Sequence, residues 1–208
     1  TDTTAPTLSS VSIASDNTNT SKAKAGDNVT LTFTASKSIS TPTVTFASGG
    51  SLVNGNVTVQ NTSENTWTAS FAARVNSTDG PVTFSVSFND TIGNAGTAVT
   101  ATSDGTSVAI DNSAPTLSSV SIASDNTNTT KAQANDDITL TFTASEAIGT
   151  PVVTFRSGGD AITDGSVVYR NTSGNTWTAV YTANASDTDG AVTYSIAFSD
   201  TLAMRAQP

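Results

Sequence analysis

An all-β chain, folded as two antiparallel sandwiches in tandem, is what the sequence predicts, on three observations. The chain repeats itself: Ala5-Pro6-Thr7-Leu8-Ser9-Ser10-Val11-Ser12-Ile13-Ala14-Ser15-Asp16-Asn17 returns as Ala114-Pro115-Thr116-Leu117-Ser118-Ser119-Val120-Ser121-Ile122-Ala123-Ser124-Asp125-Asn126. The spacing from Pro6 to Pro115 is 109 residues, the size of one small sandwich domain. Apolar residues alternate with polar ones along most of the chain. Thr, Ser, Asn and Gly fill the polar positions, while charged residues make up only 12%, a composition suited to wet strands and turns rather than helices.

Strands are expected near 7–14 and at 28–35, 42–47, 56–60, 66–73 and 81–89, with a last one within 97–110. In Val29-Thr30-Leu31-Thr32-Phe33-Thr34-Ala35 every second residue is apolar. Trp67, Ala69 and Phe71 keep the same period, as do Val82, Phe84, Val86 and Phe88. The second copy repeats it with Ile138, Leu140, Phe142, with Trp177, Ala179, Tyr181, and with Val192, Tyr194, Ile196, Phe198. A period of two buries one face and wets the other, as in antiparallel sheets. Turn signals stand between the strands: Gly49-Gly50, Asn54-Gly55, Asp79-Gly80 and Gly93-Asn94-Ala95-Gly96. Seven short strands so spaced describe an immunoglobulin-like sandwich without the cysteine pair of antibody domains. The predicted boundaries are 1–111 and 112–208. Asn65-Thr66-Trp67-Thr68-Ala69 returns as Asn175-Thr176-Trp177-Thr178-Ala179 at a spacing of 110 residues, so one residue was inserted in a loop. Trp67 and Trp177 are in phase with the apolar faces and are expected in the cores.

The second copy departs at its end. After Phe198-Ser199-Asp200-Thr201 comes Leu202-Ala203-Met204-Arg205-Ala206-Gln207-Pro208, which does not alternate. Its last strand is therefore expected to be missing or atypical. Either the sequence stops early or another copy supplies the strand, since an unpaired edge beside the penultimate strand would be adhesive.

Composition narrows function. A net charge of −9, from 8 basic and 17 acidic residues, argues against a nucleic-acid partner. No apolar run is long enough to insert in a membrane. The chain has no Cys and no His, which removes thiolate chemistry and the commonest general base. The expectation is no enzyme.

The acids make one constellation. With an immunoglobulin-like strand order, Asp111, Glu146 and Asp200 gather at the N-terminal pole of the second copy. Asp16 and Asp79 lie at the facing pole of the first. Hard oxygen ligands of this kind suit calcium.

The chain resembles the immunoglobulin-like repeats of large bacterial surface proteins and adhesins. The resemblance rests on Thr1-Asp2-Thr3-Thr4-Ala5-Pro6 at the domain start, Lys24-Ala25-Gly26-Asp27, Ser145-Glu146, and Asp90-Thr91-Ile92-Gly93-Asn94-Ala95-Gly96. It implies extender modules outside the cell, or on a cell or virion surface, partnered by neighbouring repeats, with calcium at junctions held by Asp111, Glu146 and Asp200. Lys37 stands where the second copy has Glu146, so the resemblance does not extend such a site to Asp2 and Asp90. Two rival readings are a filament subunit completed by a donated strand and a carbohydrate-binding accessory module.

Overall fold

The computed structural model describes residues 2–53, 55–162 and 165–201. Asn54 of one turn signal and the tail 202–208 lie outside the described residues. Among the described residues there are strands, turns and bends but no helix. The chain divides into unit one, Thr1–Ser113, and unit two, Ala114–Pro208.

Unit one contains β1 (Leu8–Ser15), β2 (Lys22–Ala23), β3 (Asn28–Ala35), β4 (Thr43–Ser48), β5 (Ser51–Leu52), β6 (Thr58–Ser63), β7 (Thr66–Ala72), β8 (Gly80–Ser87) and β9 (Ala109–Ile110). One sheet runs β1-β3-β7-β6 and the other β2-β9-β8-β4-β5. This is the immunoglobulin-type pair of sheets, antiparallel throughout except that β2 runs parallel to β9. Register follows the alternation: Val11 faces Phe33, which faces Trp67, and Ile13 faces Leu31, which faces Ala69. On the other sheet Phe46 faces Phe84 and Val44 faces Val86. The inward rows meet in one core, where the rings of Phe46 and Phe71 lie 4.8 Å apart across the two sheets. The Thr residues between them are half-buried, and Thr34 and Thr66 hydroxyls pair at 3.1 Å.

Unit two repeats the plan with β10 (Leu117–Ser124), β11 (Asp137–Ala144), β12 (Val152–Ser157), β13 (Asp160–Ala161), β14 (Val168–Ser173), β15 (Thr176–Thr182) and β16 (Val192–Ala197). Its sheets run β10-β11-β15-β14 and β13-β12-β16. The rings of Phe155 and Tyr181 lie 6.0 Å apart across its core. The inserted residue falls between β13 and β14. Trp67 is buried, and Trp177 packs half-buried against its core.

The last strand of unit one, expected within 97–110, is the short β9 at Ala109–Ile110, at the end of that range. Ala95 bridges Asn89 and Val99 bridges Val86, after which the chain leaves the sheet. It crosses to the edge of β1 and returns as β9. The turn Asp104-Gly105 sits at the edge of β1, after Ser103 N has donated to Val11 O. The Asp104 carboxylate accepts from Thr106 N at 3.0 Å and Thr106 Oγ1 at 2.7 Å, and Gly105 adopts φ +75°, a conformation glycine takes without strain. Along β1, Val11 N donates to Ser103 Oγ and Ile13 N to Thr106 Oγ1, both at 2.9 Å. Hydroxyls thus satisfy the edge amides of a strand that has no further strand beside it.

Candidate functional site

Unit one has a built feature at each pole. At the N-terminal pole the Lys37 ammonium sits among oxygens. It donates to Asp2 Oδ2 at 2.8 Å, to Asp90 Oδ2 at 3.3 Å and to the carbonyl of Thr4. Asp90 is buried at 2% exposure. Burial pushes its carboxyl up, but donation from the Asn94 side chain and backbone, Ile92 N and Lys37 outweighs that and holds it at about 2. The Asp2 carboxyl is lowered, chiefly by the hydrogen bond from Lys37, and the Lys37 ammonium is raised, chiefly by Asp2. Lys37 is thus a covalently attached cation holding the N-terminal segment to the loop after β8.

At the C-terminal pole the centre is Asn112. Its Oδ1 accepts from Ala25 N at 2.8 Å, and its Nδ2 donates to the carbonyls of Arg74 at 3.0 Å and Ser77 at 3.1 Å. Asn112 N donates to Asp79 Oδ1 at 2.7 Å, and Ser113 Oγ donates to Asp79 Oδ2 at 2.6 Å. One side chain therefore ties the exit of unit one to the loops after β2 and β7. Nothing in the spacing of the sequence marked Asn112. Asn recurs in many loops of this chain, so its identity alone did not distinguish this one.

The acids nominated for a metal take distinct positions. Asp16 accepts from Asn28 N at 2.7 Å and Asn28 Nδ2 at 2.9 Å, and the side-chain bond chiefly lowers its carboxyl. Asp79 is engaged by Asn112 and Ser113 as above. Asp111 belongs to unit one, with Oδ2 3.9 Å from Lys22 Nζ. Glu146 and Asp200 lie in unit two, where Asp200 is buried and bridges Ile148. Among the described residues no three His, Cys, Asp or Glu side chains gather where they could share a metal ion.

No family model matches the sequence, and no curated protein does. Among solved structures, an I-band fragment I67–I69 from titin is similar at 12% identity and a TM-score of 0.47, over 96% of this chain and 62% of that one. A three-domain titin I67–I69 variant with Glu changed to Ala matches at 11% identity and a TM-score of 0.49, over 97% of this chain and 62% of that one. This chain therefore spans about three-fifths of the length of those fragments. Titin domains Z1Z2 in complex with telethonin match at 16% identity and a TM-score of 0.31, over 99% and 94% of the two chains. Likeness at this level carries no argument about function, and the immunoglobulin-type assignment rests on the strand order of each unit.

Proposed function

We propose that the chain is a pair of load-bearing extender repeats of an extracellular stalk. The observation that carries this is the Asn112 clamp, which locks the residues leaving unit one into the body of the sandwich. Tension applied there acts on the clamp together with β9, rather than peeling a loose end. Repeated units with separate cores are the usual way to gain length. Single-molecule stretching of the full chain tests it. Two unfolding events are expected, each releasing roughly 35 nm at about 3.5 Å per residue, with the unit-one event weakened by Asn112→Ala. A single event, or forces indifferent to that substitution, rejects the reading.

Calcium belongs to the same proposal through Glu146 and Asp200. In unit one the equivalent pair is Lys37 and Asp90, an ammonium on a carboxylate at 3.3 Å. At the sequence position equivalent to Lys37 unit two has Glu146, and at that of Asp90 it has Asp200, a pair of carboxylates that suits a divalent cation with its remaining oxygens drawn from carbonyls and water. Calorimetric titration of calcium into the chain is expected to saturate, and Glu146→Lys, which restores the built-in cation, is expected to abolish it. Absence of saturable binding removes calcium from the proposal.

A further inference from the structure

Unit one carries a small cleft at its C-terminal pole, between β5 and the loop that follows β7. Its volume is about 220 Å³, and Ser51, Leu52, Val53, Arg74, Asn76 and Thr78 are among the residues that line it. Hydrogen bonds fix the main chain around it. Ser77 N donates to the Arg74 carbonyl at 2.9 Å, and Arg74 N donates to Ser77 Oγ at 3.0 Å. Ser48 Oγ donates to the Thr78 carbonyl. The guanidinium lies against Gly55, where a Cβ would stand 3.7 Å from Arg74 Nε and 3.9 Å from Arg74 Cζ.

The side chains of this cleft are not paired with one another. Lys22 and Lys37 each meet a carboxylate, but the Arg74 guanidinium has no ion pair or hydrogen bond among the described residues. The side chains of Ser51, Asn76 and Thr78 likewise have no hydrogen-bond partner among the described residues. Unit two satisfies the same two loops internally. Asn184 and Ser186 stand at the positions of Arg74 and Asn76, and Asn184 Oδ1 accepts from Ser186 N and Ser186 Oγ, both at 3.0 Å. Asp160 stands at the position of Ser51, and its carboxylate accepts at 2.7 Å from Thr188 Oγ1, the counterpart of Thr78.

An uncommitted guanidinium presents a planar fork of donors that matches a carboxylate. Arg74 is the one cation among the described residues that line the cleft, so the match is to a single negative charge. The hydroxyls of Ser51 and Thr78 and the carboxamide of Asn76 both donate and accept, as the hydroxyls of a sugar do. Leu52, 71% exposed, and half-buried Val53 offer carbon surface to the C–H face of a ring. The volume falls below the range of about 300–1,000 Å³ usual for drug-sized ligands, which leaves room for one ring. We infer that this cleft binds one uronic-acid unit of an anionic polysaccharide, with the carboxylate on Arg74 and the ring hydroxyls on Ser51, Asn76 and Thr78. The site belongs to unit one, because unit two has Asn184 in place of the cation. It goes beyond the load-bearing reading and does not depend on it.

The test titrates the intact chain with methyl glucuronide, methyl glucoside, acetate and inorganic phosphate, followed by amide and Arg Nε–H chemical shifts. Methyl glucuronide is expected to saturate with a Kd on the order of 1 mM, ordinary for a single ring. Shifts are expected at Arg74 Nε–H and at the amides of Ser51, Asn76 and Thr78, with unit two unmoved. The glucoside lacks the charge and acetate lacks the ring, so each is expected to bind at least about tenfold more weakly. Arg74→Gln is expected to reduce glucuronide binding to the level of the glucoside while unit-one melting stays unchanged, and Arg74→Lys to fall between, because the charge stays and the fork is lost. Asn76→Ala is expected to weaken the glucuronide about threefold or more and to leave acetate as it was. No saturation at roughly 20 mM glucuronide overturns the proposal, as does binding that Arg74→Gln and Asn76→Ala both leave intact. Acetate or phosphate binding as tightly as the glucuronide would show a bare anion contact and overturn it too.

Discussion

Asn112→Ala is the sharpest perturbation of unit one that leaves its core untouched. The substitution deletes three hydrogen bonds, from Ala25 N at 2.8 Å and to the carbonyls of Arg74 and Ser77 at 3.0 and 3.1 Å. Each contributes about 0.5–1.5 kcal/mol net. Asn112 is half-buried, so water reaches some of the groups left behind, and the expected loss is about 1–3 kcal/mol. For a domain of this size that corresponds to roughly 5–15 °C in melting temperature. Each unit contains one Trp, so a Trp177→Phe background reports unit one through Trp67, and Trp67→Phe reports unit two. Urea and thermal melts in both backgrounds are expected to show the loss in unit one, with unit two changed by less than about 0.5 kcal/mol. Asn112→Asp keeps the acceptor for Ala25 N but turns a carboxylate oxygen toward the carbonyls of Arg74 and Ser77, so it is expected to lose at least as much as Ala at neutral pH. A loss below about 0.5 kcal/mol in unit one, or equal losses in both units, would refute the clamp.

Three further outcomes are expected. Replacing Ser103 by Ala together with Thr106 by Val removes the acceptors of two β1 amides, so hydrogen exchange at Val11 and Ile13 should quicken about tenfold or more while Leu31 stays protected; unchanged exchange at both would show that the excursion does not seal the edge. The Asp90 carboxyl is held at about 2, below its ordinary 3.8, so its contribution to stability is complete above 3.8 and lost as pH falls toward 2; Asp90→Asn should flatten the acid limb of unit one in that window, and an unaltered limb would count against it. Gly96→Ala would set a Cβ 2.2 Å from the ring of buried Phe88, an overlap expected to cost about 1–3 kcal/mol; a stability equal to wild type would show that the loop after β8 can move aside.

Strand positions were legible because the signal is dense: Val29, Leu31 and Phe33 alternate with Thr, and the structure pairs them in phase with β1 and β7. Short strands escaped, since β2 and β5 hold two residues each, too few for a period to show. The last strand of unit one, expected within 97–110, lies in that range as β9 (Ala109–Ile110), but its two residues, like the turn at Asp104-Gly105 before them, left its position in the range undetermined by alternation. Candidate metal ligands were read from loop position alone, and loop position does not show that Asp16 and Asp79 accept hydrogen bonds from Asn28 and from Asn112 and Ser113.

Sequence alone determined the class of fold, the tandem repeat, the inward rows of each sheet and the absence of His and Cys chemistry. These are local or compositional properties, carried by alternation and by residue type. Tertiary structure alone decided which edges are sealed. The edge of β1 is sealed by a segment some 90 residues away in the chain, where Ser103 and Thr106 accept from Val11 N and Ile13 N, and no local pattern in β1 marks that neighbour.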